Sequence, residues 1–227
     1  MINKIFRKIT DRIDFNNSSQ TIFYVNVYSY KILRKYPKIV NSADYFTLDG
    51  IILVLFIRFF YDKKIKRMSP DFSSYIKGLF NFLNDKKKKV SFIGGSKQDL
   101  KIFCEIIRGN YPSIQITACN DGYDLDEEEA INTIIANKID FVFVGMGTPK
   151  QELFIIKMRE RGYKGSCVAC GAFLGQTAAK GVQYYPNIID KLELRWLYRI
   201  YKEPKLIKRY FIYYPVAMIY LIVDRLK

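Results

Sequence analysis

The chain predicts an α/β protein: a Rossmann-like, mostly parallel sheet flanked by helices, followed by a C-terminal amphipathic helical appendage. Three observations carry that prediction. Short β-rich runs alternate with helix-length stretches between residues 21 and 169, the pattern of a parallel sheet covered on both faces. Several of the runs stop at Gly or Asp, as strands do where they reach a turn. Of the 227 residues, 49% are hydrophobic and 16% aromatic, enough for a core on two sides of a sheet.

In chain order, residues 21–26 read as a strand leading into a helical stretch to about residue 40. Residues 44–48 form a second strand, closed by Asp49-Gly50 and followed by an apolar segment of helical length. Residues 90–93 are a short buried strand ending at Gly94-Gly95, with a helix from about 97 to 108. A strand at 113–118 precedes a helix at 126–137. A strand at 141–144 ends in Gly145, a helix covers 151–161, and a last strand covers 166–169. In such sheets ligands bind beyond the carboxyl ends of the strands. That rule singles out Asn26, Asp49, Gly94, Gly95, residues 145–151 and Gly171.

Composition removes several kinds of chemistry. There is no histidine, which excludes Ser-His-Asp and Cys-His catalysis and any His-ligated metal. Four cysteines are too few for a disulfide scaffold, which favours a reducing compartment. Cys167 and Cys170 have zinc-like spacing but lie in a buried-type strand, while Cys104 and Cys119 stand alone, so no metal is expected. The first residues lack a secretory pattern, and no run reaches the roughly 20 apolar residues of a spanning helix.

The segment Gly145-Met146-Gly147-Thr148-Pro149-Lys150-Gln151-Glu152 has two readings. Glycines admit a ligand close to the backbone, and a helix N-terminus beside Lys150 suits a diphosphate. Alternatively, Thr148 caps the helix with Pro149 at its first position, and Gln151 closes a capping box. The spacing is neither a dinucleotide fingerprint nor a Walker A loop. Asp49 could serve as a general base toward a hydroxyl, or simply form an Asp-Gly turn. Asp124-x-Asp126 has the look of a metal-holding pair, but before Glu127-Glu128-Glu129 it reads better as a helix start.

Net charge is +15, and residues 191–227 carry nine basic and three acidic side chains. Leu192, Trp196 and Ile200 share one helical stripe, with Arg195, Arg199 and Lys202 beside it. Such a surface suits anionic lipid headgroups, or is the solvated side of a terminal helix. Nucleic acid is a weaker fit, since no recognised motif is present. We therefore divide the chain into 1–190, the α/β domain, and 191–227, a membrane-associating appendage. An apolar appendage also makes a homo-oligomer plausible when no membrane covers it.

Several segments, in order, resemble the WecG/TagA/CpsF family of bacterial glycosyltransferases. They are Tyr24-Val25-Asn26, Asn41-Ser42-Ala43-Asp44 with Leu48-Asp49-Gly50, Lys66-Arg67-Met68-Ser69-Pro70-Asp71, Phe92-Ile93-Gly94-Gly95, Phe143 through Glu152, Arg195-Trp196-Leu197-Tyr198-Arg199, and Glu203 through Tyr210. Tyr24 stands where the family pattern has Thr. The resemblance implies an inverting, metal-independent transfer, without a cofactor, from a UDP-sugar to a polyprenyl-diphosphate-linked sugar in cell-surface polysaccharide synthesis. It casts Asp49 as base. It places Asn26, Arg67, Gly94, Gly95, Gly145, Gly147, Pro149, Lys150, Gln151 and Glu152 at the donor. It gives Arg195, Arg199, Lys205, Lys208 and Arg209 to the lipid diphosphate and membrane. The expected location is peripheral, on the cytoplasmic face of the plasma membrane. A non-catalytic membrane-surface subunit that keeps the fold is the alternative.

Overall fold

A computed structural model describes all residues except 62, 63, 187, 188, 190, 191, 193, 203 and 227. Along the chain the elements are α1 (Ile2–Arg7), β1 (Thr21–Val25), α2 (Val27–Leu33), α3 (Pro37–Ser42), β2 (Tyr45–Leu48), α4 (Ile51–Tyr61) and α5 (Tyr75–Asp85). Next come β3 (Lys89–Gly94), α6 (Lys97–Asn110), β4 (Gln115–Asn120), α7 (Glu127–Ala136), β5 (Phe141–Gly145), α8 (Lys150–Glu160), β6 (Ser166–Ala169) and α9 (Phe173–Lys180). The last segment holds α10 (Arg195–Lys202), a 3-10 turn (Pro204–Leu206), a π turn (Arg209–Tyr213) and α11 (Tyr214–Leu226). The helical stretch expected after Asn26 is two helices. Pro37 disfavours helix at the residue before it and starts α3 at its own first position.

The six strands are all parallel, in the order β2-β1-β6-β5-β3-β4. Alternation along each strand divides the core in two. Val142 and Val144 join Phe23, Val25, Phe46 and Leu48 under α2, α4, α8 and α11. Phe141 and Phe143 join Phe92, Phe80 and Phe103 under α5, α6 and α9. The C-terminal helix belongs to the first of these layers, because Ala217 and Leu221 are fully buried in it. Asp224 ties it down. The Tyr30 hydroxyl donates to Oδ2 at 2.5 Å, and Arg34 Nε and Nη2 donate to the two carboxylate oxygens at 2.7 and 2.8 Å. The boundary drawn at 190/191 falls outside the described residues.

After β3 the chain moves outward to β4, and after β5 it moves the other way to β6. Connections that diverge from adjacent strands open a crevice at their carboxyl ends. Here those ends are Gly94 and Gly145, paired in register.

Candidate active site

Two connected cavities occupy that edge. The larger, about 690 Å³, is floored by Gly95, Gly145, Gly147 and Gly171, with Ser96, Asp99, Tyr123 and Lys150 around it. Its size is that of a small-molecule site. The smaller, about 130 Å³, contains Asp49, Arg67, Ser69, Asp71, Arg195 and Trp196. Tyr24, Asn26, Gln176, Arg199 and Arg209 line both. A further depression of about 580 Å³ lies around Phe15, Lys86 and Lys164, at the opposite, amino-terminal edge of the sheet.

Asp49 stands just past β2, where its backbone N–H donates to Val25 O at 3.0 Å. Its carboxylate is aimed by two side chains. The Ser69 hydroxyl donates to Oδ1 at 2.8 Å and Asn26 Nδ2 donates to Oδ2 at 3.2 Å. Asn26 is fixed in turn as the N-cap of α2. Its Oδ1 accepts from Ser29 N at 2.9 Å, and the Ser29 hydroxyl accepts from Asn26 N at 2.9 Å. With both ends of its amide engaged and 5% of its surface exposed, Asn26 positions the carboxylate.

Arginines surround this acid. Arg209 Nη2 lies 3.5 Å from Asn26 Oδ1, and its guanidinium stacks 4.4 Å over the Tyr28 ring. Its buried Nε has no hydrogen-bond partner among the described residues. A buried donor without an acceptor costs about 1–3 kcal/mol. Arg199 lines both cavities, and Arg67 only the smaller. Arg195 does not turn outward as the basic stripe suggested. It is 7% exposed, donates to Asp71 Oδ2 at 3.2 Å and lies 5.0 Å over the Tyr185 ring. Burial pushes the Asp71 carboxyl upward, and Arg195 opposes that shift.

The glycine turn after β5 also differs from the capping expectation. Pro149, not Thr148, holds the N-cap position, and α8 begins at Lys150. The Thr148 hydroxyl is engaged elsewhere, donating to Glu152 Oε1 at 3.0 Å. Gln151 and Glu152 are fully buried below the turn. Gln151 Oε1 accepts from Gly147 N at 3.2 Å and Gly171 N at 3.0 Å, while its Nε2 donates to Glu152 Oε1 at 2.8 Å. Gln151 therefore joins the turns after β5 and β6, satisfying backbone donors as a capping residue would, and leaves the cavity surface to the glycines. Burial raises the Glu152 carboxyl above its usual range.

The remaining expected positions separate cleanly. Gly94 lines neither cavity, its neighbour Gly95 taking that place, and Lys150 is exposed at the rim of the larger. Lys208 is exposed outside both cavities, and the Lys205 side chain lies outside the described residues. Asp126 caps α7, accepting from Glu129 N at 3.0 Å. Cys167 and Cys170 are buried, but Cys104 and Cys119 do not stand alone; their sulfurs are 3.2 Å apart. The wall residues Tyr185, Tyr210 and Tyr214 went unassigned in the sequence. Their signal was the density of tyrosine flanking the basic motif near the C-terminus.

A parallel α/β sheet with a glycine-floored cleft at its carboxyl edge has the architecture of nucleotide-using enzymes. Comparison narrows this class: the sequence profile described as "Glycosyl transferase WecG/TagA/CpsF family" matches residues 2–227, and the chain belongs to that family. It is 34% identical over 207 residues to a UDP-Gal:alpha-D-GlcNAc-diphosphoundecaprenol beta-1,4-galactosyltransferase of Shigella boydii, covering 90% of this chain and 86% of that one. It is 29% identical over 170 residues to an N-acetylglucosaminyldiphosphoundecaprenol N-acetyl-beta-D-mannosaminyltransferase of Bacillus spizizenii, covering 75% of this chain and 65% of that one. A Staphylococcus aureus protein with the same activity name is 25% identical over 205 residues, covering 86% of this chain and 77% of that one.

Proposed function

We propose that this protein moves a sugar from a UDP-sugar to a hydroxyl of a polyprenyl-diphosphate-linked sugar, with inversion, in the synthesis of a cell-surface polysaccharide. The observation that carries the reading is Asp49, held by Ser69 and Asn26 in a cavity that opens through Arg199 and Arg209 into the larger cleft. The relatives' names supply the acceptor class, a GlcNAc diphosphoundecaprenol, and a β-linked product.

In this reading each part of the site has a role. The nucleotide diphosphate lies in the 690 Å³ cleft over the glycine turns, with Lys150 and the first turn of α8 near its charge. The acceptor hydroxyl enters the smaller cavity and passes its proton to Asp49 as its oxygen attacks the anomeric carbon. The bond from that carbon to the UDP oxygen breaks, and the departing diphosphate gains negative charge. Arg67 and the first turn of α8 offset that charge from fixed positions, while Arg199 and Arg209 face the acceptor's diphosphate. Approach from one cavity and departure into the other is the in-line arrangement of a single inverting displacement.

Among the described residues no helix is long and apolar enough to cross a membrane. Exposed Leu197, Tyr201, Ile207, Phe211 and Ile212 alternate with Lys202 and Lys208. This composition supports peripheral binding at the cytoplasmic face of the plasma membrane, and self-association through the same apolar surface when no bilayer is present.

The test is a panel of UDP-sugars with a short-chain lipid-diphosphate GlcNAc acceptor, read by product mass. Transfer that collapses in Asp49→Asn while UDP still raises the melting temperature supports the reading. Full turnover by Asp49→Asn overturns the base. Stabilisation by nucleic acid rather than by UDP overturns the substrate class.

A further inference from the structure

We infer that the acceptor's polyprenyl chain leaves the Asp49 cavity through an apolar crevice and runs outward along one stripe of α4. The inference rests on the acceptor reading above and extends it from the diphosphate to the hydrocarbon. The crevice opens beside Asp49 and Gly50. Its walls are Val27, Ile51 and Ile52 on one side and Trp196, Tyr210 and Tyr214 on the other. Among the described residues Asp49 is the one charged side chain along it, so an isoprenoid meets no other ion there, whereas a polar headgroup would lose its water without replacement. Arg199 and Arg209 belong to the adjoining cavity, which shares Asp49, Ile51 and Tyr214 with the crevice. An anionic head and an apolar tail thus find matching walls side by side; at about 30 Å³ the crevice admits the tail as its aromatic wall of Trp196, Tyr210 and Tyr214 opens.

The stripe continues the crevice. Ile51, Leu55 and Phe59 are spaced i, i+4 and i+8, so they line one side of α4 over about 12 Å. Ile51 is in the crevice wall, while Leu55 and Phe59 are 53% and 81% exposed. Val54 and Ile57 of the same helix are fully buried, so the core is already served without the stripe. Large apolar side chains left in water in a row that begins at the catalytic carboxylate are explained by a hydrocarbon lying on them.

The experiment compares GlcNAc-diphosphate acceptors that differ only in the tail, from a short alkyl group to several isoprene units, in detergent solution. Leu55→Asp and Phe59→Asp alter exposed positions and leave the core intact. The expected result is a loss of about tenfold or more in kcat/KM for the long isoprenoid acceptor, with the short-tail acceptor and the UDP-sugar KM unchanged. Equal losses on both acceptors, or no loss on either, overturn the inference. A second arm measures sedimentation with acceptor-free anionic phospholipid vesicles. If the variants lose vesicle binding while tail-length dependence persists, the stripe serves the bilayer and the inference is wrong. Wild-type protein that glycosylates none of the acceptors overturns the transfer reading itself. Wild-type turnover without tail discrimination by the variants overturns this inference alone.

Discussion

Replacing Asp224 with Asn should loosen the C-terminal helix and, through it, the arginine side of the active site. The wild-type carboxylate accepts from the Tyr30 hydroxyl and from two nitrogens of Arg34, and is only 6% exposed. Asn keeps the shape but removes the charge and turns an amide N–H toward Arg34. Breaking a buried pair costs about 3–5 kcal/mol, and a surface pair about 0–1. The Arg34 side chain is 27% exposed, so water screens part of its loss; a cost of about 2–3 kcal/mol follows. For a chain of this size that lowers the melting temperature by about 5–10 °C. The effect carries a pH signature. Arg34 first, and then Tyr30, hold the Asp224 carboxyl down at about 2, against an ordinary 3.8. The pair's contribution is therefore complete above about pH 4 and lost as the pH falls toward 2. Thermal melts of the two proteins should differ at pH 7 and converge across that window. The variant should also show a raised acceptor KM, because α11 follows directly on the turn that carries Arg209. Equal melting temperatures at pH 7, or a gap that persists at pH 2, would refute the reasoning.

Other expectations are simpler to state. Asp49→Asn should reduce kcat by about 10²–10⁴-fold, the usual span of general base catalysis, with UDP binding by calorimetry intact. Arg209→Lys keeps the charge but removes Nε, and should cost about 10–100-fold in kcat/KM if a charge-assisted hydrogen bond to diphosphate is lost; a silent variant would move the diphosphate elsewhere. Gly94→Ala would place a Cβ 2.4 Å from Gly145 O at a residue with φ +127°. A loss of about 3 kcal/mol or more is expected, read as lower soluble yield and melting temperature. Oxidised glutathione should link Cys104 to Cys119, seen as the loss of two hydrogens by intact mass, since their sulfurs already lie 3.2 Å apart.

The parts of this fold that showed in the sequence are those set by local periodicity. Phe141-Val142-Phe143-Val144 is apolar on both sides because both faces of its strand are covered, and the Gly after it marks the turn. Asp49 was singled out because a strand ended there, while its reading as a base came from the family resemblance. Sheet order could not be found. β1 pairs with β6 across more than 140 residues, with Ile22 opposite Val168, and no local pattern encodes that partner. The same reason misplaced Arg195: helical spacing shows which residues share a face, but the inward turn of that face was decided by Asp71, 124 positions away. Cys104 and Cys119 looked solitary because α6 packs beside β4 only in three dimensions. Thr148 had the chemistry of a cap, yet its hydroxyl found the buried Glu152 instead.

Gly94, Gly145 and Gly171 stand in close succession at the ends of three adjacent strands. A Cβ on the first would strike Gly145 O at 2.4 Å, and one on the second would strike Gly171 O at 2.6 Å. Where these strands end the surface is consequently bare peptide, and at Gly94 and Gly145 a side chain could be added only by forcing neighbouring strands apart. Any change of donor preference in descendants of this chain has to be written around the mouth, at positions such as Gln176, Lys180 and Tyr123, where side chains can grow without disturbing what they stand on.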